Sequence, residues 1–235
     1  MGRGLPEPEL DTEHVPVNAQ TVETEFRAFV EEPVFPCLAA KGLVRQRGYT
    51  LGVYGKIGSS SATDVLAADL TRFVDETPAD GSSFAAFVAV FRGRPPATED
   101  LFEQVLWAQL SELHGADQSS EWDPSVSSNT DDPHFAFSFS RRAFFVVGLH
   151  PRSSRLARQF SRTALVFNPH AQFDRLRKEG RFERLRSAIR ERDLALQQEP
   201  NAALADFGAR SEAQQYSGRA AEPDWRCPFH PRPAR

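Results

Sequence analysis

Lysine and cysteine are scarce in this 235-residue chain: three lysines stand against 25 arginines, and the cysteines are Cys37 and Cys227. Two cysteines cannot build a disulfide scaffold, and a chain of this length buries a core without one. Long apolar runs are also missing. None approaches the ~18 residues of a membrane helix, and the longest, Phe84–Phe91, is strand-sized. Residues 1–20 hold no apolar signal-peptide core, which predicts a cytoplasmic chain with both thiols reduced. Familiar catalytic templates are absent too: no Walker loop, no dinucleotide fingerprint, no H-E-x-x-H and no G-x-S-x-G. Gly52-x-x-Gly55-x-x-Gly58 reads as a turn.

What is present is aromatic and unevenly charged. The chain has 19 phenylalanines. The net charge of −4 conceals nine acidic and no Lys or Arg residues between Pro95 and His134, then fourteen basic against four acidic from Arg141 to Arg192. Solvated helix faces explain much of this. The functional reading places an anionic ligand group on the basic half and a cationic one near the acidic half. A pI of about 5.9 and the lack of any known module signature argue against nucleic acid.

Periodicity predicts an α+β fold: a single mixed or antiparallel sheet with a central hairpin and helices packed against it. Residues 1–20 read as a disordered arm, 21–208 as one domain, and 209–235 as an extended tail held by Tyr216, Trp225 and Phe229. Helices are expected at Thr21–Glu31, Leu38–Leu43, Ala62–Val74, Thr98–Leu113 and Ser153–Phe160. Strands are expected at Thr50–Tyr54, Phe84–Phe91 and Ala164–Phe167. Alternating Phe135, Phe137 and Phe139 followed by Ala143–Leu149 predict the hairpin. Asn168 as N-cap and Pro169 as first residue predict a helix that runs to about Gln197 and breaks at Gly180.

Cys37 follows Pro36 at a helix start, where backbone N–H groups and the helix dipole favour a thiolate; a lone cysteine is otherwise a small buried hydrophobe. His150 and His170 both follow strands. Cys227-Pro228-Phe229-His230 has the spacing of half a zinc site.

Several motifs in fixed order resemble the YqcI/YcgG family. They are Phe35-Pro36-Cys37; the block Phe144-Phe145-Val146-Val147-Gly148-Leu149-His150-Pro151-x-Ser-Ser-Arg155; and the turn Phe167-Asn168-Pro169-His170-x-Gln172-Phe173. The ending Ser211-Glu212-Ala213-x-Gln215-Tyr216-Ser217-Gly218-Arg219 with Trp225-x-Cys227-Pro228-Phe229 completes the set, over about residues 25–230. Members linked to guanitoxin and argolaphos biosynthesis are haem-dependent N-hydroxylases of guanidino compounds. The resemblance therefore implies a monooxygenase that uses haem b, dioxygen and an external electron donor on a small guanidino or amino-acid-like substrate.

A haem enzyme needs a protein ligand to iron, cations for the propionates and an apolar pocket. Candidates for haem contact are Cys37, His150, Arg155, His170 and Arg219, with Cys227 a further sulfur. Thiolate ligation favours Cys37 as the metal ligand, and His150 is the alternative. For a cationic substrate, the acidic loop offers Asp131 and Asp132 as carboxylates, with Trp122 as a stacking surface. A haem-binding or haem-sensing module without turnover, using Cys227-Pro228 in the tail, is the second reading. A structural protein with packed cysteines and histidines is the third.

Overall fold

Alternation along the strands decides which side chains meet which layer. The computed structural model describes residues 18–201, 208–222 and 224–231. Its elements are α1 (Ala19–Glu31), α2 (Leu38–Arg45), β1 (Tyr49–Tyr54), α3 (Ser60–Glu76), β2 (Ala86–Phe91) and α4 (Glu99–Ala116). They continue with β3 (Phe137–Phe139), β4 (Arg142–Leu149), a 3-10 turn (Leu156–Arg158), β5 (Thr163–Pro169), α5 (His170–Lys178), α6 (Phe182–Gln197) and α7 (Ala213–Tyr216). The five strands form one mixed sheet in the order β1-β2-β5-β4-β3. Only β1 and β2 run parallel, joined through α3; the other pairs are antiparallel. The fold is α+β, and the hairpin in the middle of the chain forms one edge of the sheet.

One face carries Phe87, Ala89, Phe144, Val146, Leu165 and Phe167 and packs on α3, α4 and the C-terminal segment. The other carries Val88, Val90, Val147, Leu149 and Val166 and meets α1 and α2. Both faces of β2 are buried, which explains its unbroken apolar run. No helix among the described residues is long and apolar enough to cross a membrane.

Helix ends follow local chemistry. Thr98 caps α4, its hydroxyl accepting the Leu101 N–H at 3.2 Å, with Glu99 and Asp100 in the first turn. The buried stripe of α4 is narrow. Phe102, Leu106, Leu110 and Leu113 are buried and Trp107 joins them, while Leu101 faces solvent, as does Val65 of α3. The expected arm lies outside the described residues as far as residue 17; α1 begins at Ala19, where Asn18 accepts the Gln20 N–H.

Two local expectations are corrected. Asn168 does not cap a helix: β5 continues through Pro169, and the Asn168 amide donates to the Phe145 and Val166 carbonyls. Ser153–Phe160 is not an α-helix beyond the 3-10 turn. Its main chain is taken up elsewhere: the Arg158 carbonyl accepts the His150 N–H at 3.1 Å, and Gln159 donates to the Ser153 carbonyl at 2.7 Å. Gly180, at φ +66, ends α5 and lets α6 start at Phe182.

Candidate functional site

The sheet face that meets α1 and α2 is only partly covered by them. Between it and α5 and α6 lies an apolar cavity of about 370 Å³, within the range of small-molecule sites. Val88, Val147 and Val166 form its sheet wall, Phe29 and Ile189 close it from the helices, and Phe35 from the loop before α2.

Cys37 enters this cavity from the start of α2. Pro36 holds the approach, and Cys37 is the N-cap residue, its Sγ accepting the Ala40 N–H at 3.4 Å. The expected lowering of its pKa is not found. Burial pushes the thiol up and outweighs the Ala40 and Ala39 N–H groups and the positive charge of Arg158. The isolated thiol is held neutral by its apolar setting, so an anionic sulfur there requires a bound cation beside it.

Arg158 lines the same cavity. Its guanidinium donates to three main-chain carbonyls, those of Gly148 at 3.2 Å, Tyr216 at 2.9 Å and Gln215 at 2.9 Å. Burial and the nearby Arg155 lower its pKa to about 10, against the pull of Asp193 and Cys37. Arg155 forms a buried ion pair with Asp193 of α6. Helices α5 and α6 add Arg177, Arg186 and Arg190, so the cavity has apolar walls and a cationic margin.

His170, the first residue of α5, is buried between two carboxylates. Its Nε2 is 3.4 Å from Glu212, and its Nδ1 is 3.6 Å from Asp174. Burial alone would lower its pKa, but Asp174 and Glu212 together raise it to about 9. The other Glu212 oxygen accepts from the Tyr216 hydroxyl at 3.1 Å, and that hydroxyl accepts the Phe137 N–H at 3.0 Å. The C-terminal segment thus supplies part of the cavity wall.

The structure brings Cys37, Arg155 and His170 together on one cavity and places the other candidates elsewhere. His150 falls on the opposite sheet face, in register with Phe144, Val146 and Gly148, and stacks on Phe102 of α4 at 4.1 Å between ring centroids. Counting by twos from Phe144 reveals this in the sequence. Arg219 bonds Glu103 of α4 at 2.8 Å and Glu222 at 2.6 Å, away from the cavity. Trp122 packs among His114, Phe135 and Phe229 on the α4 side. Asp131 and Asp132 lie near that side, Asp131 3.9 Å from Arg226 and Asp132 accepting the His134 N–H at 2.8 Å. Their neighbour Asp123 pins the hairpin, accepting the Ala143 N–H at 2.8 Å. Cys227 is buried in the aromatic cluster of this face, with burial pushing its thiol to about 12.

Sequence reasoning did not single out Arg158, Asp193 or Glu212 as cavity residues. Arg158 and Glu212 lie in or beside the quoted motif blocks, which is the one signal that could have found them.

Fold and site together define a single-sheet α+β protein with a charged-rimmed apolar cavity against one face. The chain belongs to the YqcI/YcgG family, whose model matches residues 26–230. No curated protein matches it, and no solved structure does.

Proposed function

We propose that the chain is a cytoplasmic haem-dependent monooxygenase that hydroxylates a nitrogen of a small guanidino or amino-acid-like substrate, with dioxygen and an external electron donor. The observation that carries this reading is the position of Cys37: a sulfur at a helix N-cap, inside an apolar cavity ringed by arginines. The donor set fits haem b. Among the described residues, no group of three or more His, Cys, Asp or Glu side chains is placed to hold a metal ion.

A bound haem supplies oxygen binding and one-electron chemistry, and a thiolate ligand favours O–O cleavage. The chain's own residues do the rest. Cys37 would hold the iron, and the Ala39 and Ala40 N–H groups would steady the charge on its sulfur. Arg186 and Arg190, at the cavity margin, would meet the haem carboxylates, which guanidinium forks match. The apolar walls exclude water from the reacting atoms. The acidic side chains on the cavity wall are Asp193 and Glu212, so a substrate cation would meet those, not Asp131 and Asp132.

The test is haem reconstitution of the full chain followed by absorption spectroscopy. Wild type is expected to show a Soret band, with the red-shifted carbonyl complex of thiolate ligation after reduction. Cys37→Ala should lose that complex, while Cys227→Ala and His150→Ala keep it. A wild-type chain with no Soret band ends this reading. A thiolate spectrum that survives Cys37→Ala moves the ligand elsewhere.

A further inference from the structure

Asp174, His170 and Glu212 form a continuous row from the surface to the cavity. Asp174 has its side chain 38% exposed, His170 only 3% and Glu212 7%. The two imidazole nitrogens face opposite ends: Nδ1 lies 3.6 Å from the Asp174 carboxylate, and Nε2 lies 3.4 Å from that of Glu212. Both His170 and Glu212 line the cavity. A neutral imidazole can take a proton at its bare nitrogen and, once doubly protonated, release the other one at the opposite nitrogen.

We propose that Asp174, His170 and Glu212 are a proton relay that carries protons from solvent into the Cys37 cavity. Its use in catalysis rests on the function proposed above. Hydroxylation of an R–NH2 group by dioxygen places one oxygen atom on nitrogen and releases the other as water. That step consumes two protons, and two electrons from a protein electron donor. The cavity walls are apolar, so these protons need a polar route. The His170 imidazolium passes its Nε2 proton to Glu212, which presents it to the cavity; tautomer exchange moves the remaining proton from Nδ1 to Nε2, and the bare Nδ1 then takes a proton from water through Asp174.

The surroundings suit this role. On α5, Arg177 holds the other Asp174 oxygen at 2.7 Å, which fixes the carboxylate at the entrance. From the C-terminal segment, the Tyr216 hydroxyl holds Glu212 at 3.1 Å. Helix α6 contributes Arg186 and Arg190 to the same wall. The two carboxylates raise the imidazole pKa to about 9, so the relay is charged at neutral pH.

The first measurement needs no haem: 15N-detected exchange of imidazole N–H protons with water in the full chain, with His170 assigned by loss of its signal in His170→Gln. A relay predicts fast exchange despite burial, slowed at least tenfold in Asp174→Asn. Asp174 is partly exposed, so this variant leaves the core intact. A His170 N–H that persists for seconds in wild type, or exchange unchanged in Asp174→Asn, overturns the relay. The second uses haem-loaded protein with L-arginine as probe substrate. Glu212→Gln should keep the Soret band but lower product per electron consumed at least fivefold, the difference released as hydrogen peroxide, with Glu212→Asp restoring part of the loss. Wild-type coupling in Glu212→Gln overturns delivery through Glu212. If wild type takes up no haem, the proposed function fails, and the exchange measurement still decides the relay.

Discussion

His150 shows what an unpaired buried base does to stability. Its ring is fully buried against Phe102, and neither ring nitrogen has a hydrogen-bond partner. Burial lowers its pKa to about 4, with Arg158 adding to the effect and Glu99 opposing it. In the unfolded chain the same ring titrates near ~6.5. The folded form therefore binds fewer protons between these values, and stability is full above ~6.5 and falls as the pH drops toward 4. The loss amounts to about 3.5 kcal/mol at most, at ~1.4 kcal/mol per unit. Urea unfolding at pH 7 and pH 4.5 should show a steep fall in wild type and a shallower one in His150→Phe. Equal slopes would mean that the ring is charged or hydrated in the fold. His170, with two carboxylate partners, is the opposite case: a buried imidazole whose charge is stabilised.

At the scale of elements, β4 and α4 meet closely at Gly148. A Cβ there would lie 2.6 Å from the Phe102 ring and 2.9 Å from Leu106, both fully buried. Gly148→Ala should cost about 1–3 kcal/mol by overpacking. A thermal midpoint equal to wild type would show that α4 can shift outward at little cost. Elements of this kind were largely legible in the sequence, because their signals are local. The alternation of Phe135, Phe137 and Phe139, the Thr98 cap and the break at Gly180 each specify structure within a few residues. Asn168 misled because its amide serves strand carbonyls, and whether a neighbouring strand offers them is not written nearby. The cavity was half legible. Cys37 and His170 were visible as candidates, but the pairing of His170 with Glu212 spans 42 positions and leaves no periodic trace. Parity along β4 would have separated His150 from Cys37, and the acidic loop looked available to a ligand because nothing local shows that it packs on the α4 side.

At the scale of the whole molecule, the C-terminal segment belongs to the core. Tyr216 and Phe229 are fully buried, Cys227 nearly so, and the Tyr216 hydroxyl accepts from Phe137 of β3. Removing residues from 209 onward should therefore unfold or severely destabilise the chain. Loss of near-ultraviolet circular dichroism and of a cooperative thermal transition would confirm it. A truncated chain with native spectra would show the segment to be an accessory, as the sensor reading requires. The same dependence has a consequence for biosynthesis. Ribosomes add roughly 5–20 residues per second, so about 5–20 s separate the emergence of Phe137 from that of Phe229. During that interval Trp107, Phe135 and Phe137 lack their last covering layer, and the nascent chain presents an aromatic surface that only its own final residues conceal. Slower translation or depleted chaperones should therefore lower the soluble yield of this protein.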